Sequence, residues 1–176
     1  SCSQWVCLEP DAALASRLHD VTVLDGRRPE VVVGDLRAIP PDASFDTIVY
    51  IDVLEHIRED AAELRAAAHR LAPGGRLVVL SPAFQRLFSP FDQAIGHERR
   101  YTRGSLRAVF PAELTHVASF YADALGAALS FANALLLKQS MPTRRQILFW
   151  DRVIIPLSRV IDPLVGRSFG RSIIAI

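Results

Sequence analysis

Cysteine is scarce in this chain, and its two cysteines form no recognisable ligand pattern. Cys2 and Cys7 lie five positions apart, without a CxxC spacing and without neighbouring histidines. No spacing of His, Asp and Cys elsewhere indicates a metal site, so we expect none. We interpret Cys7 as a small buried apolar residue, and we expect the protein to work in the reducing cytoplasm.

An excess of charge of one sign is also absent. The 20 Lys and Arg residues are balanced by 19 Asp and Glu residues, which leaves a formal net charge of +1. Long-range attraction therefore does not draw the chain to nucleic acid or to an acidic surface. The balanced charge therefore does not favour a nucleic-acid substrate, and we expect no nucleic-acid partner.

No apolar run in the sequence is long enough to span a membrane. The longest runs from Ala124 to Leu137 and has 14 residues, whereas a spanning helix needs roughly 20. We interpret this run as a buried or interfacial helix. The segment from Arg144 to Asp162 is predicted to form an amphipathic helix kinked at Pro156, with arginines opposite an apolar stripe of Ile147, Trp150, Ile154, Leu157 and Ile161. Such a helix packs against its own domain or makes peripheral contact with an anionic membrane, and we favour packing.

The first half of the chain alternates apolar strands with helices, a pattern typical of a parallel sheet covered on both faces. A short strand over residues 4–8 precedes a helix that begins at Pro10, and a second helix covers Glu59 to Leu71. Further strands are indicated by “VTVLDG”, “PEVVVGDL”, “FDTIVYID” and “LVVLSP”. In the second half, Thr102 is placed to cap a short helix, and “LTHVASFYADAL” and “RSIIAI” each indicate a strand.

Three of the predicted strands end on a carboxylate, namely Glu9, Asp35 and Asp52. In an open α/β sheet, ligands bind beyond the carboxyl ends of parallel strands. A carboxylate at one strand end can accept hydrogen bonds from both hydroxyl groups of a ribose. A carboxylate at the next strand end can accept a hydrogen bond from an adenine amine. The alternative interpretation is that each acid only caps the helix or turn that follows it.

The segments “WVCLEPDAAL”, “VVVGDLRAIPPDASFDTIVYIDVLEHI” and “RLAPGGRLVVLSPA” occur in this order. Together they resemble the class I S-adenosylmethionine-dependent methyltransferases that act on small molecules. The resemblance implies a Rossmann-like, doubly wound and mostly parallel sheet in a single domain over 1–176. Residues 1–83 are expected to bind the cofactor, and the loosely similar residues 84–176 to face the substrate.

The same resemblance assigns roles to individual positions. It implies that Glu9 binds the ribose of S-adenosylmethionine, that Asp35 binds the adenine amine and that Leu36 contacts the adenine ring. Ile51 and Asp52 are expected to face the methionine portion or the sulfonium of the cofactor.

The chain departs from the family pattern at its amino end. Members of the family begin with another strand and a glycine-rich turn of the E-x-G-x-G-x-G kind, which is absent from this sequence. We therefore expect that the family's first strand and helix are missing from this chain, and that roughly 40 or more natural residues precede Ser1.

The resemblance implies methyl transfer from S-adenosylmethionine to a small molecule. The aromatic residues Phe84, Phe88 and Phe91 and the apolar helices after Ala124 indicate an acceptor with a hydrophobic part, or a lid that excludes water. His56, His97 and Tyr101 are the candidates for a general base or for a group that orients the acceptor. The arginines of “GHERRYTRGS” provide an alternative role for that loop, the binding of an anionic substrate. Two other functions stay open, a non-catalytic methyltransferase-like subunit and a nicotinamide-dependent oxidoreductase.

Overall fold

The computed structural model describes residues 4–19, 26, 28–132 and 143–176. The chain divides into two compact units, Ser1–Phe45 and Asp46–Ile176. The strand predicted at “VTVLDG” lies outside the described residues, as does the end of the predicted apolar helix after position 132. Each unit is described below by itself.

The first unit contains one parallel strand pair and one helix. Strand β1 (Val6–Glu9) pairs with β2 (Glu30–Val33), and Glu9 lies opposite Val33. Helix α1 (Ala12–Leu18) begins after Asp11, whose carboxylate accepts the backbone N–H groups of residues 13 and 14. A carboxylate at this position satisfies amides that lack a partner within the helix, which explains why the helix starts there.

The second unit is built on a four-stranded sheet with the order β3-β4-β6-β5. The strands are β3 (Phe45–Ile51), β4 (Leu71–Pro82), β5 (Ser119–Ala122) and β6 (Ser172–Ala175). β6 runs antiparallel to both β4 and β5, so this sheet is mixed. β3 is an edge strand of this sheet, and its apolar residues Val49 and Ile51, which share one face, are exposed.

Helices surround this sheet. They are α2 (Asp60–Ala68), α3 (Pro90–Ala94), α4 (Arg103–Val109) and α5 (Ala124–Ala132). The side chains of Ser89 and Thr102 cap α3 and α4 through reciprocal hydrogen bonds, and the predicted cap at Thr102 is therefore confirmed. The sheet and helices enclose a core in which Leu54, Leu64 and Leu106 are fully buried.

The last helical segment contains a π-helical turn. Helix α6 (Arg144–Phe149) continues through the π turn Trp150–Ile154 into α7 (Ile155–Leu164). Pro156 lacks an N–H and its ring crowds the preceding turn, and the wider π turn directly before it accommodates this residue. In α7 the buried side chains are Ser158 and Asp162, whereas Leu157 of the predicted apolar stripe is 48% exposed. That part of the helix prediction is wrong, because polar contacts determine which face is buried.

In the part of the chain that the structure describes, no helix combines the length and the apolar character that crossing a membrane requires.

Candidate functional site

Glu9 and Asp35 lie at the same end of the first unit's strand pair. Because β1 and β2 are parallel and in register, their carboxyl ends meet at one edge. The backbone N–H of Gly34 donates to the carbonyl of Glu9 over 3.0 Å, which places Asp35 directly beyond this contact. The expectation that these two strands end together is confirmed.

The carboxylate of Glu9 is only partly occupied by protein donors. Oε1 accepts the backbone N–H of Asp11 over 2.9 Å, and Glu9 is half-buried. Among the described residues, no donor contacts the second oxygen, Oε2. The contact with Asp11 matches the capping alternative, and the second oxygen leaves Glu9 able to accept a hydrogen bond from a ligand.

Asp35 makes local contacts with Arg37. Its Oδ1 accepts the backbone N–H of Arg37 over 2.9 Å, and the guanidinium of Arg37 pairs with both oxygens. These hydrogen bonds hold the pKa of Asp35 below its usual value, so the carboxyl is ionised at neutral pH. Leu36, which follows Asp35, is buried.

The turn between β2 and Asp35 requires glycine. Gly34 has a φ of +144°, and a Cβ added there would lie 2.9 Å from the Cβ of Ala38. A side chain at this position would force the turn to move. The absence of a side chain thus allows the close approach of Ala38 at this strand end.

Asp52 follows β3 in the second unit. It has a φ of +50°, which is uncommon for a residue with a side chain, and its N–H donates to the carbonyl of Leu80 over 2.9 Å. Desolvation raises the pKa of the Asp52 carboxyl, although nearby His97 and Arg171 partly oppose the shift. Ile51, immediately before it, is 60% exposed.

A cavity of about 750 Å³ lies within the second unit, and we call it the polar cavity. The residues that line it come from several elements and include Asp52, His56, His97, Asp123, Trp150 and Arg171. Two of the three predicted catalytic residues, His56 and His97, therefore line one cavity. Its size is within the range of small-molecule sites in proteins.

His97 is oriented by a buried carboxylate. Its Nδ1 lies 2.9 Å from Oδ1 of Asp92, and Arg100 contacts both oxygens of Asp92 over 2.9 Å. Burial opposes ionisation of Asp92, but hydrogen bonds from Arg100 and Ser89 outweigh it and hold its pKa at about 2. Because an ionised Asp92 can only accept a hydrogen bond, Nδ1 of His97 carries the donating hydrogen and Nε2 keeps its lone pair.

Glu55 lies beneath the two histidines with one oxygen unsatisfied. The Ser81 hydroxyl donates to Oε2 over 2.9 Å, whereas Oε1 is buried without a hydrogen bond and lies 3.8 Å from Nε2 of His97. Burial raises the pKa of the Glu55 carboxyl. The imidazole rings of His56 and His97 meet edge to face, with centroids 4.6 Å apart.

These three side chains form a group that can hold a metal ion. One ligand atom from each of Glu55, His56 and His97 lies within 4.8 Å of the others. Two imidazoles and a carboxylate suit a divalent transition metal. The sequence spacing gave no indication of this group, because His97 joins it only through the fold.

Tyr101, the third predicted catalytic residue, lies outside the lining of the polar cavity. Its hydroxyl is buried and donates to Oδ2 of Asp60 over 2.7 Å, and Arg99 donates to the same oxygen over 2.7 Å. Burial, followed by the contact with Asp60, raises the pKa of Tyr101. Tyr101 is not among the residues that line the polar cavity, so the geometry favours a bracing role for it.

A second polar group on the cavity wall was not predicted from the sequence. Asp123 follows β5 with a φ of +63°, and its carboxylate accepts hydrogen bonds from Trp150, Ser158 and the backbone of Gly126. Asp162 accepts the backbone N–H groups of residues 123 and 124, each over 2.8 Å. The available signal was the position of Asp123, because it is another carboxylate directly after a strand.

Comparison with known proteins identifies similar sequences. The methyltransferase domain family matches residues 4–138. The chain is 40% identical over 75 residues to a ubiquinone biosynthesis O-methyltransferase of Xylella fastidiosa, and the match covers 41% of this chain and 29% of that protein. A relative of the same name from Xanthomonas euvesicatoria is 38% identical over 73 residues, which cover 40% of this chain and 29% of that protein. The match thus spans less than a third of the length of these curated relatives.

Solved structures share the fold at low sequence identity. One is a methyltransferase in complex with the Haloferax volcanii Trm112 methyltransferase activator, with a TM-score of 0.60 and 16% identity, over 99% of this chain and 71% of that chain. Another is coclaurine N-methyltransferase bound to N-methylheliamine and SAH, with a TM-score of 0.58 and 12% identity, over 97% of this chain and 59% of that chain. The predicted Rossmann-like α/β fold is confirmed.

Proposed function

Because the chain belongs to the class I S-adenosylmethionine-dependent methyltransferases, we propose that the protein transfers a methyl group from S-adenosylmethionine to a small-molecule acceptor. The observation that carries this proposal is the placement of Glu9 and Asp35 at neighbouring ends of two parallel strands. Adjacent carboxylates of this kind suit the ribose and the adenine of an adenosine.

The residues of the first unit fit the cofactor. Among the described residues, no donor contacts Oε2 of Glu9, and a carboxylate suits the hydroxyl donors of a ribose diol. We assign Asp35 to the adenine amine and Leu36 to the ring, as the family resemblance implies. In the second unit, Ile51 and Asp52 are assigned to the methionine portion. The bound cofactor supplies a methyl group already activated on a sulfonium, so the protein mainly has to orient the acceptor.

We assign the general base to His97. The Nδ1–H of His97 donates a hydrogen bond to Asp92, which leaves Nε2 available to take a proton from an acceptor hydroxyl. His56 lies against His97 and is the second candidate. Tyr101, whose hydroxyl donates to Asp60, is assigned the task of holding the neighbouring backbone in place.

The acceptor is proposed to carry a hydroxyl group and a hydrophobic part. The relatives from Xylella and Xanthomonas are named O-methyltransferases of ubiquinone biosynthesis, which favours oxygen as the methylated atom. The polar cavity also has an apolar wall, which includes Phe91, Ile95 and Ile155. Such a wall suits a hydrophobic substituent and excludes water from the reacting group.

The cytoplasm is the proposed location, with a small molecule and not a nucleic acid as the partner. A partner subunit is a further possibility, since the Haloferax neighbour was solved as a complex with an activator. The competing function is a non-catalytic subunit that binds S-adenosylmethionine and transfers nothing, since one fold supports many functions.

The test is a transfer assay with the natural full-length protein. Methyl-labelled S-adenosylmethionine is incubated with phenols that carry hydrophobic substituents, and the labelled product and S-adenosylhomocysteine are measured. We expect acceptor-dependent transfer that falls by about 100-fold in His97→Gln, the contribution typical of a general base. The control His69→Gln changes an exposed histidine after α2 and should keep full activity. Cofactor binding without transfer to any acceptor would favour the non-catalytic function.

A further inference from the structure

Arg171 has a fixed backbone and a side chain that lines the polar cavity. It directly precedes β6, its N–H donates to the carbonyl of Asp123 over 3.0 Å, and its own carbonyl accepts the N–H of Ala83 over 2.7 Å. The side chain is half-buried. These two hydrogen bonds fix the backbone from which the side chain of Arg171 extends.

The guanidinium of Arg171 stacks on an aromatic ring. Its central carbon lies 4.6 Å from the centroid of the Trp150 ring, and the indole N–H of Trp150 donates to Asp123 over 3.0 Å. A guanidinium whose face is covered by an indole still presents its N–H groups at its edge. Those N–H groups are arranged to donate two parallel hydrogen bonds to a carboxylate.

No ion pair joins Arg171 to a carboxylate among the described residues. The ion pairs of the second unit use Arg58, Arg99, Arg100 and His97 as their cations. Arg171 thus differs from Arg100, the nearby cavity arginine, which contacts both oxygens of Asp92.

The acids around Arg171 are already occupied or lie beyond contact distance. The Asp123 carboxylate accepts three hydrogen bonds, and Asp162 accepts two from the backbone. Glu55 accepts the Ser81 hydroxyl, and Asp52 makes no ion pair with Arg171 among the described residues. Desolvation lowers the pKa of Arg171, which indicates an environment unfavourable to an unpaired cation. An anion from solution would remove this unfavourable state.

We propose that Arg171, stacked on Trp150, binds the carboxylate of a ligand in the polar cavity. This inference rests on the proposed function and extends it to the class of ligand. The carboxylate belongs either to the acceptor, as an organic acid with an apolar part, or to the amino-acid end of the cofactor. Both sources present the same group to the edge of the guanidinium.

Two pairs of probes distinguish the two sources. Benzoate and benzamide have the same ring and differ in charge, so they report on a carboxylate of the acceptor. S-adenosylhomocysteine and 5′-methylthioadenosine differ by the presence of the amino-acid part, so they report on the cofactor. All four are titrated by calorimetry into the natural full-length protein, and into Arg171→Gln, Arg171→Lys and Arg159→Gln. Arg159 is an exposed arginine that lines the same cavity, and it serves as the matched control.

We expect the wild-type protein and Arg159→Gln to prefer the carboxylate-containing member of one pair by about tenfold or more, which corresponds to 1.4 kcal/mol. The preference should disappear in Arg171→Gln and be only partly kept in Arg171→Lys, because lysine lacks the planar pair of donors. Melting temperatures verify that the variants fold. The carboxylate belongs to the acceptor if Arg171→Gln removes the preference for benzoate over benzamide. It belongs to the cofactor if Arg171→Gln removes the preference for S-adenosylhomocysteine over 5′-methylthioadenosine.

The inference is overturned if Arg171→Gln leaves both preferences as they are in the wild type, or if neither pair shows a preference in the wild type. Its failure is distinct from failure of the proposed function. If S-adenosylhomocysteine binds but Arg171→Gln changes nothing, the methyltransferase assignment stands and only the role of Arg171 falls. If no adenosine compound binds while benzoate binding still depends on Arg171, the role of Arg171 stands and the methyltransferase assignment falls.

Discussion

His97 and Asp92 form a buried pair whose nearest atoms, Nδ1 and Oδ1, are 2.9 Å apart. Arg100 contacts both oxygens of the same carboxylate, so Asp92 binds the imidazole of His97 and the guanidinium of Arg100 at once. The carboxylate and its two partners are almost completely buried. This arrangement sets the tautomer of the histidine that faces the polar cavity, and it makes Asp92 important for stability as well as for the proposed chemistry.

Replacing Asp92 with Asn is expected to destabilise the protein by about 3 kcal/mol at neutral pH, because it leaves the buried Arg100 guanidinium without a counter-charge. The pKa of Asp92 is lowered to about 2 from 3.8, so its contribution to stability is present above about pH 4. That contribution is lost as the pH falls toward 2. Urea unfolding of both proteins between pH 7 and pH 3 measures the difference.

The matched control for Asp92→Asn is Asp151→Asn, which changes an exposed acid on the same cavity. Its effect should stay within about 0.5 kcal/mol at every pH. An Asp92→Asn variant as stable as the wild type at pH 7 would show that Arg100 and His97 do not depend on this carboxylate.

Tyr101→Phe separates a bracing role from a catalytic one. Removing the buried hydroxyl takes one hydrogen bond from Asp60, which should lower the free energy of unfolding by about 1–3 kcal/mol. The turnover number in the transfer assay should change by less than about threefold, since Tyr101 does not line the polar cavity. A large loss of turnover with unchanged stability would instead support the sequence-based prediction that Tyr101 orients the acceptor.

Gly126 and Gly104 provide a matched pair of helical glycines. A Cβ at Gly126 would lie 1.9 Å from Oδ2 of Asp123, whose carboxylate is held by Trp150 and Ser158. Gly126→Ala should therefore destabilise by about 2 kcal/mol or more, because it breaks these contacts. Gly104→Ala meets nothing closer than 4.0 Å and should stabilise α4 by about 0.5–1 kcal/mol. Thermal unfolding of the two variants measures both effects, and equal effects would contradict the packing around Asp123.

The contact between Arg37 and Asp35 predicts a change that nuclear magnetic resonance can follow. Hydrogen bonds from Arg37 lower the pKa of Asp35, so Arg37→Gln should raise this pKa toward its ordinary value of 3.8. The stabilisation that depends on the ionised form is present above that value and is lost as the pH falls through the lowered pKa. A carboxyl-carbon titration that gives the same pKa in both proteins would show that the contact does not persist in solution.

Local patterns in the sequence predicted the strand ends but not the groups that the fold brings together. Apolar runs followed by acids located Glu9, Asp35 and Asp52 correctly, because strand periodicity and helix capping depend on neighbouring residues. The group of Glu55, His56 and His97 was not predictable, since His97 is distant in the chain from the other two and meets them only in the folded protein. Arg171 was missed for the same reason, because its stacking partner Trp150 belongs to another element.

The sequence pattern also did not predict which face of the C-terminal helix is buried. Apolar residues at helical spacing suggested a buried stripe that included Leu157, yet Ser158 and Asp162 face inward. The hydrogen bonds of Asp162 to the start of α5, and of Ser158 to Asp123, explain this orientation. The spacing of apolar residues carries no information about such polar contacts between distant residues, so it could not predict this orientation.

The most direct test of the central claim is calorimetric titration of S-adenosylhomocysteine into the natural full-length protein and into Glu9→Ala, Asp35→Ala and Glu30→Ala. Glu30 is the matched control, because it lies at the opposite end of the same strand pair. We predict micromolar binding, about −8 kcal/mol, that weakens at least about tenfold in the first two variants and is unchanged in Glu30→Ala. Absence of binding to the folded natural protein, or equal binding by all four proteins, would contradict the assignment of Glu9 and Asp35 to the cofactor.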